Sequence, residues 1–314
     1  MPQQTLHLHA TDTGLDRAAQ LLKDGALVAL PTETVYGLGA DARNGTAVAA
    51  IYTAKGRPSF NPLIVHLAAP DDAKKYVVWN APAQALARAF WPGPLTLVLP
   101  LLPDHGLSSL VTAGLPTVAL RVPAHPTSHR LLTAFGGPVA APSANPSGQI
   151  SPTTAGHVLE GLSGRIAAVL DDGPCTVGVE STIIGFDGST PVLLREGGIT
   201  CEQITDLLGQ APAAPQGSNI TAPGQLASHY APRGNVRLNA QTPHKGEHML
   251  GFGAVDGVLN LSPDGDLAEA AANLFEYFHR LDALGGAIAV APIPQMGLGR
   301  AINDRLARAA APRG

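Results

Sequence analysis

The sequence is poor in charged and aromatic residues, and in lysine above all. Of its 314 residues, 14% are charged and 4% are aromatic, and the net charge is −4. A protein coated in cations for duplex nucleic acid is therefore disfavoured, although a local basic cleft is compatible with this average. Only five of the 20 basic residues are lysines, so Lys55 is a rarer choice than any single arginine.

Cysteines and long apolar segments are scarce as well. Cys175 and Cys201 are the two cysteines and have no CxxC spacing, so we expect idle thiols in a reducing compartment. No apolar run reaches the roughly 18 residues that a bilayer span requires. The first residues also lack the basic and apolar parts of a signal peptide. We therefore predict a soluble cytoplasmic protein with no membrane partner.

Common motifs for nucleotides, nucleophiles and metals are missing. The sequence contains no GxxxxGK[ST], GxGxxG, GxSxG or HExxH pattern. A nucleotide site would have to be of another kind. Hydrolysis by a protein nucleophile or by zinc is disfavoured, and we predict no metal bound by the protein itself.

Short apolar runs alternate with helical patterns along the first 210 residues, and many of these runs are apolar throughout. This pattern is typical of an α/β fold with a covered sheet. Residues 211–234 are rich in Pro, Ala, Gly and Ser without periodicity, which predicts a linker. Residues 235–314 predict a smaller α/β unit. Its last helix, near 299–310, carries three arginines that we expect on a solvated face: Arg300, Arg305 and Arg308.

The segment KGRPSFNPLIVH (55–66) places two cations in a loop after a predicted helix. Lys55 and Arg57 suit phosphate oxygens as a point charge and a planar fork, but a solvated helix end also favours cations. Arg195 follows an apolar strand and precedes two glycines. Open α/β sheets tend to bind ligands at such strand ends.

Arg121 lies inside the apolar strand TVALRV (117–122) and therefore needs an anionic partner. That partner is either an Asp or Glu of the protein or a ligand carboxylate, which Arg can bind through two hydrogen bonds. His66 ends an apolar run and reads by default as a core histidine. Ser143 and Ser181 lie near strand ends, where turn chemistry is the simpler explanation.

Taken together, the motifs resemble one known family. The ordered series LPTETVYGLGAD, KGRPSFNPLIVH, WPGPLTLVL, LRVP, APSANPSG, GVESTI and LLREGG is similar to the YrdC/Sua5 family, the threonylcarbamoyl-AMP synthases, over roughly residues 10–210. The later PGQLASHYAP segment resembles the longer Sua5 type, except for Gln225, where that linker usually has methionine. The resemblance implies an open twisted mixed sheet in 1–210, a linker or lid in 211–234 and a smaller Rossmann-like domain in 235–314.

The resemblance also implies an activity. ATP, L-threonine and bicarbonate would give threonylcarbamoyl-adenylate and pyrophosphate, which makes the chain a nucleotidyltransferase. Separate proteins would then use the product to modify adenosine 37 of tRNA. Mg²⁺ would be carried mainly by the ATP phosphates, and the protein would be a monomer.

Site residues follow from the same motifs, position by position. L-Threonine would be bound by Thr34, His66, Arg121, Ala141 and Ser181. Catalysis would depend on charge stabilisation by Lys55, Arg57 and Arg195. ATP would be surrounded by Lys55, Arg57, Asn61, Thr117, Ser143, Asn145, Ser151 and Arg195, with Tyr230 closing over it.

Two other functions are open at this point. One is a non-catalytic module of the same fold that presents a basic concavity to RNA, which the acidic net charge and the few aromatics disfavour. The other is a carbamoyl-adenylate enzyme that uses carbamoyl phosphate. Such enzymes normally carry zinc-finger or transferase modules, for which this chain has too few cysteines and too little length.

Overall fold

The computed structural model describes residues 4–215, 222–224 and 228–312. Within these residues the chain forms two sheets of different size, each accompanied by helices. Parts of the predicted linker, namely 216–221 and 225–227 with Gln225, lie outside the described residues. No helix in the described ranges is long and apolar enough to cross a bilayer.

The larger sheet has ten strands and contains most of the apolar runs of the first 210 residues. Most of their side chains are buried, as expected for a sheet covered by helices. In chain order the strands are β1 (Leu6–His9), β2 (Val28–Leu30), β3 (Gly37–Asp41), β4 (Ile64–His66), β5 (Leu95–Pro100), β6 (Thr117–Arg121), β7 (Val139–Ala140), β8 (Ala168–Asp171), β9 (Thr182–Asp187) and β10 (Thr190–Arg195).

Strand pairing in this sheet is mixed. The spatial order is β1-β8-β2-β3-β7-β4-β6-β5-β9-β10. Pairs such as β4/β6 and β5/β9 are parallel, whereas β2/β3, β5/β6 and β9/β10 are antiparallel. The α/β class and the open mixed sheet are therefore confirmed.

Helices connect these strands, together with a 3₁₀ segment at Pro70–Lys75. Asn44 caps α2 by accepting hydrogen bonds from two backbone N–H groups, and Gly56 ends it with φ 61°, which a residue without Cβ adopts readily. This stop turns the chain back toward the sheet and brings Lys55 and Arg57 inward. The helices are α1 (Asp12–Lys23), α2 (Gly45–Lys55), α3 (Ala81–Phe90), α4 (Ser109–Thr112), α5 (Pro126–Phe135), α6 (Ala155–Leu162) and α7 (Cys201–Leu208).

The smaller sheet lies in the C-terminal part of the chain and is entirely parallel, in the order β11-β14-β12-β13. Two helices pack with it and bury their apolar faces in its core. The predicted smaller α/β unit is thus confirmed. Its elements are β11 (Val236–Arg237), β12 (Glu247–Gly251), β13 (Leu259–Asn260), α8 (Leu267–Leu284), β14 (Ala287–Val290) and α9 (Leu298–Ala310).

The two parts of the chain share one apolar core. Val35, Ile150 and Val179 of the first part belong to the same buried cluster as side chains of α8 and α9. Beside this core the rings of His157 and His279 stack with centroids 3.7 Å apart. The smaller unit therefore packs directly against the larger one through buried apolar side chains.

Gly178 marks the tightest point of this contact. Its φ is 76°, and a Cβ added there would lie 2.4 Å from Ala272 Cα and 2.3 Å from Ala271 O of α8. Gly173, five residues earlier, has φ 77° but open space around it. The two glycines have the same backbone conformation and differ in their surroundings.

Substitution by alanine should separate these two effects. Gly173→Ala should cost about 1 kcal/mol, because an L-residue at positive φ is strained. Gly178→Ala should cost about 3 kcal/mol or more, because the methyl group also pushes against the α8 backbone. Calorimetric unfolding of both variants and the wild type tests this. Equal melting temperatures for the two variants would contradict the close contact.

Candidate functional site

A cavity opens where β4 and β6 end, close to the loops that follow β2 and β7 and precede β9. It encloses about 540 Å³, its mouth included. Nine of the residues predicted for the site line it, and the lining also includes Glu180. Glu33 lies outside the lining, in contact with Arg121. The sequence analysis singled out neither carboxylate. The nine are Thr34, Arg57, His66, Arg121, Ala141, Ser143, Ser181, Arg195 and Tyr230.

Arg121 is buried and lies at the end of β6. Its Nη1 donates to Thr34 Oγ1 at 2.8 Å, and its Nη2 lies 2.7 Å from Glu33 Oε1. The Nη2–Oε1 contact is a close charge pair without hydrogen-bond alignment, so both oxygens of Glu33 and Nη2 keep unused hydrogen-bonding capacity. Of the two partners considered for Arg121, the structure therefore supplies the protein carboxylate, while Nη2 keeps a hydrogen-bonding capacity that a ligand carboxylate could use.

His66 is the register partner of Arg121 across β4 and β6. Burial and the neighbouring Arg121 lower the pKa of His66 to about 3, so the ring is neutral at physiological pH. Its Nδ1 is buried and has no hydrogen-bond partner among the described residues. On the other side of the cavity, Ser181 Oγ lies 2.7 Å from Thr96 Oγ1. The neutral groups of Thr34, His66 and Ser181 thus line the same cavity as Arg121.

Lys55 is 3% exposed, so it does not lie on a solvated helix end. Its Nζ donates to the carbonyl oxygens of Ser143 and Asn145, the first at 2.5 Å. Burial and the neighbouring Arg57 hold the pKa of Lys55 well below its ordinary value. An anion near Nζ would favour the charged form again, because an opposite charge within hydrogen-bond distance raises the pKa of an amine.

Arg57 and Arg195 are the other two predicted phosphate ligands. Arg57 donates to Asn61 O at 3.2 Å and to Pro62 O at 2.8 Å, and burial lowers its pKa to about 10. Arg195 donates through Nε and Nη2 to Ser181 O, at 3.0 and 2.9 Å. Backbone carbonyls thus hold both guanidinium groups in place, and each keeps its charge at neutral pH.

These three cations have no counter-ion of their own. In the part of the chain that the structure describes, no carboxylate oxygen lies within 4.0 Å of a side-chain nitrogen of Lys55, Arg57 or Arg195. Buried positive charge without a partner is costly. The cluster is therefore built to receive an anion with several oxygens.

Four further predicted residues, Lys55, Asn61, Asn145 and Ser151, are not among the residues that line the cavity, but each is hydrogen-bonded to another predicted residue or to Glu180. The carbonyl oxygens of Ser143 and Asn145 hold Lys55, and Ala141 N donates to Ile64 O in the cavity wall. Ser151 Oγ donates to Glu180 Oε1 at 2.6 Å.

Thr117 begins β6, about 13 Å from Arg121 at the usual rise of an extended strand. It lies outside the cavity lining, at the end of the sheet where Asn61 precedes β4. Its contact with ATP stays a prediction.

Arg305 corrects one expectation from the sequence. It is fully buried, whereas the spacing of the α9 arginines predicts a solvated face. Its Nε donates to Glu180 Oε2 at 3.0 Å, Nη1 donates to Glu196 O at 2.5 Å, and the guanidinium lies 5.7 Å from the ring centre of Tyr230. Burial alone would raise the pKa of Glu180, but Arg305 and Arg195 outweigh it and lower the pKa. The smaller unit therefore inserts a charge into the cavity wall.

The described parts of the predicted linker also form this wall. Pro223 O accepts from Arg195 Nη1 at 3.4 Å, and Gly224 packs so closely on Arg195 that a Cβ would lie 2.9 Å from its Cδ. Tyr230 is 1% exposed, has φ 62°, and stacks edge-on with His229. Burial and Glu180 raise the pKa of Tyr230 to about 12, so it stays a neutral phenol.

Two family models match the chain and together span most of it. The Sua5/YciO/YrdC model, described as "Telomere recombination", matches residues 20–197. A second model, described as "Threonylcarbamoyl-AMP synthase, C-terminal domain", matches residues 199–311.

Curated relatives are similar over nearly the whole length. The threonylcarbamoyl-AMP synthase of Bacillus subtilis is 41% identical over 98% of this chain and 95% of its own. The threonylcarbamoyl-AMP synthase of Pyrococcus abyssi is 39% identical over 93% of this chain and 92% of its own.

A solved structure agrees with these relatives. The crystal structure of P. abyssi Sua5 complexed with L-threonine superposes with a TM-score of 0.89 and 36% identity, covering 98% of this chain and 97% of that one. Likeness in sequence and in fold thus extends across both sheets. The chain belongs to the Sua5/YciO/YrdC family and has the additional C-terminal domain of the threonylcarbamoyl-AMP synthases.

Proposed function

We propose that this protein is a nucleotidyltransferase that makes threonylcarbamoyl-AMP and pyrophosphate from L-threonine, bicarbonate or CO₂ and ATP. The observation that carries the proposal is the juxtaposition of two unlike groups of side chains, which line one cavity or contact its lining. One is the Arg121–Glu33 pair with unused hydrogen-bonding groups, which suits an amino acid. The other is the uncompensated cluster of Lys55, Arg57 and Arg195, which suits a triphosphate.

The amino-acid end supplies the nucleophile. Arg121 binds the threonine carboxylate, while Thr34, His66, Ser181 and the backbone of Ala141 surround the rest of the molecule. The threonine nitrogen attacks carbon dioxide, loses a proton and becomes a carbamate. A carbamate oxygen then attacks the α-phosphorus of ATP, the bond to the β-phosphate breaks, and pyrophosphate leaves. Aligning the reactants in this way can lower the barrier by roughly 7–11 kcal/mol.

The phosphate end neutralises the charge that moves to the leaving group. Lys55, Arg57 and Arg195 are held by backbone carbonyls before any ligand arrives, so they need little reorganisation during the reaction. Asn61, Ser143, Asn145, Ser151 and Thr117 complete the proposed ATP contacts. Tyr230 covers the nucleotide, and the linker shields the labile carbamate from water.

Mg²⁺ fits this site as an ion carried by ATP. Glu180, which lines the cavity, accepts hydrogen bonds from Ser151 and Arg305, and Glu33 lies in a charge pair with Arg121. Mg²⁺ commonly binds substrate phosphates with few protein ligands, where it neutralises phosphate charge. The residues that hold the phosphates would therefore position the ion indirectly.

We also propose that the protein acts as a monomer in the cytoplasm and passes its product to separate enzymes that modify tRNA. The chain divides, in this proposal, into a catalytic domain at 1–210, a linker or lid at 211–234 and a C-terminal domain at 235–314. The shared core supports a C-terminal domain that is a fixed part of the active enzyme.

Pyrophosphate release tests the proposed activity. With ATP, L-threonine, bicarbonate and Mg²⁺ we expect steady release, and omission of threonine or bicarbonate should stop it. An RNA-binding assay over a range of salt concentrations, on the same preparation, distinguishes the synthase from a non-catalytic RNA-binding module. Tight RNA binding without pyrophosphate release would refute the synthase, as would release that requires carbamoyl phosphate.

Lys55→Met should raise the KM for ATP by about ten- to a hundredfold, because it removes one charged hydrogen-bond donor from the phosphate cluster. Methionine keeps the apolar stem, so packing should change little. The KM for threonine should stay close to that of the wild type. Lys23→Met is a matched control, since Lys23 also occupies the last turn of a helix but is exposed. Equal ATP kinetics in both variants would remove Lys55 from the site.

A further inference from the structure

A cluster of potential metal ligands lies at the β1 edge of the large sheet. His7 and His9 are two residues apart on β1, so their side chains share one face of the strand. Asp171 ends the neighbouring strand β8 as the register partner of His9. One ligand atom from each of the three residues lies within 4.8 Å of the other two, and His7 Nε2 is 2.8 Å from Asp171 Oδ2.

Hydrogen bonds to Oδ1 hold the carboxylate of Asp171 in place. Asp171 Oδ1 accepts hydrogen bonds from Gly173 N at 3.0 Å and from the buried Tyr36 hydroxyl at 3.3 Å. The single O–H of Tyr36 is shared with Gly173 O, which lies closer to it, at 2.7 Å. These contacts leave Oδ2 turned toward the two imidazoles. Partners of this kind, behind a ligand, fix its orientation in metal sites.

The two imidazoles are free to adjust. Both histidines are exposed, and their ring centres are 5.1 Å apart. Ligand atoms about 2.0–2.2 Å from a tetrahedral ion lie roughly 3.4 Å from one another, which small rotations of the exposed rings can reach. The cluster therefore needs only side-chain movement to close around an ion.

We propose that His7, His9 and Asp171 bind one divalent transition-metal ion of the zinc, nickel or copper class. Two imidazole nitrogens and one carboxylate suit these ions, whereas Mg²⁺ and Ca²⁺ prefer oxygen ligands. Water fills the remaining coordination positions on the exposed side. The ion links the edge strand β1 to β8 and so stabilises the edge of the sheet that β1 forms. The spacing of the sequence does not reveal this site, because the carboxylate is 164 residues from His7.

Zinc titration of the full-length protein without an affinity tag, in a buffer free of chelators, tests the proposal. We expect one equivalent of Zn²⁺ to bind and to raise the melting temperature. His7→Gln and His9→Gln should each weaken zinc binding by at least about tenfold. Loss of a residue that is only hydrogen-bonded to a metal ligand already lowers metal affinity by about that factor. With Cu²⁺ as the probe, electron paramagnetic resonance should detect two coupled nitrogens in the wild type and one in His9→Gln.

His244→Gln is the matched control. His244 is 71% exposed and lies 3.9 Å from Glu247, but Arg237 already occupies that carboxylate. This variant should bind zinc like the wild type. The proposal is wrong if the wild type takes up no zinc, if His9→Gln binds zinc as tightly as the wild type, or if excess Mg²⁺ displaces the ion. None of these outcomes affects the synthase assay, because the cluster lies outside the reaction cavity.

Discussion

Arg121→Ala is expected to lower kcat/KM for L-threonine by at least about a hundredfold, because it removes the buried cation proposed to bind the threonine carboxylate and leaves Glu33 without its partner. The apparent KM for ATP should change far less, since Lys55, Arg57 and Arg195 remain in place. Pyrophosphate release at varied threonine and fixed ATP, and then the reverse, separates the two effects. A parallel rise in both KM values would contradict a dedicated threonine pocket.

A second variant distinguishes lost binding from lost folding. Arg121→Met combined with Glu33→Gln removes both charges together, which buried ion pairs often tolerate with little loss of stability. We expect its melting temperature to lie closer to that of the wild type than that of Arg121→Ala does. Threonine use should stay impaired in the double variant. Wild-type threonine kinetics in this protein would mean that Arg121 has no role in binding.

Arg305→Ala should cost about 3–5 kcal/mol of stability, although Arg305 belongs to the C-terminal unit and lies outside the substrate motifs. The substitution leaves the Glu180 carboxylate buried without its main counter-charge and removes the cation beside Tyr230. It should also raise the KM for ATP, because Glu180 positions Ser151. Unfolding measurements and ATP kinetics on one preparation provide both readouts.

Arg308→Ala is the matched control for this prediction. Arg308 lies one turn further along α9 and pairs with Asp304 near the surface, where ion pairs contribute about 0–1 kcal/mol. Arg305→Met combined with Glu180→Gln should recover much of the stability that Arg305→Ala loses. If Arg305→Ala is no less stable than Arg308→Ala, the buried pair does not hold the two units together.

Secondary structure is predictable from this sequence wherever strong boundary signals occur. The sequence predicts a helix over APAQALARAF (81–90) and a strand over LTLVLP (95–100). α3 and β5 have these bounds, because the WPGP segment ends the helix and separates it from the strand. Neither β1 nor β3 is predicted. β3 contains Gly37 and Gly39, which suggest a turn, yet a Cβ at Gly39 would lie 2.9 Å from Leu30 Cδ2. Glycine is present there because of close strand packing, which a single sequence does not reveal.

Some residues of the candidate site are likewise predictable from the sequence, and others are not. Short motifs predict Lys55, Arg57 and Arg121 as site residues, because two cations follow a predicted helix and the third lies inside an apolar strand of a chain with 14% charged residues. The roles of Glu33 and Glu180 are not evident from the same motifs, since their partners come from other segments. Glu180 and Arg305 are 125 residues apart, and helical periodicity cannot reveal that the first unit covers one arginine of α9.

The apolar cluster shared by the two units has a consequence for how such proteins change over evolution. Val35 directly follows Thr34, which is proposed to contact threonine, yet it packs in the same cluster as α8 and α9. A shorter protein made from residues 1–210 alone would place Val35, Ile150 and Val179 in water. A lineage that lost the second unit would therefore need substitutions at these three positions, and the first of them, Val35, adjoins a proposed substrate contact.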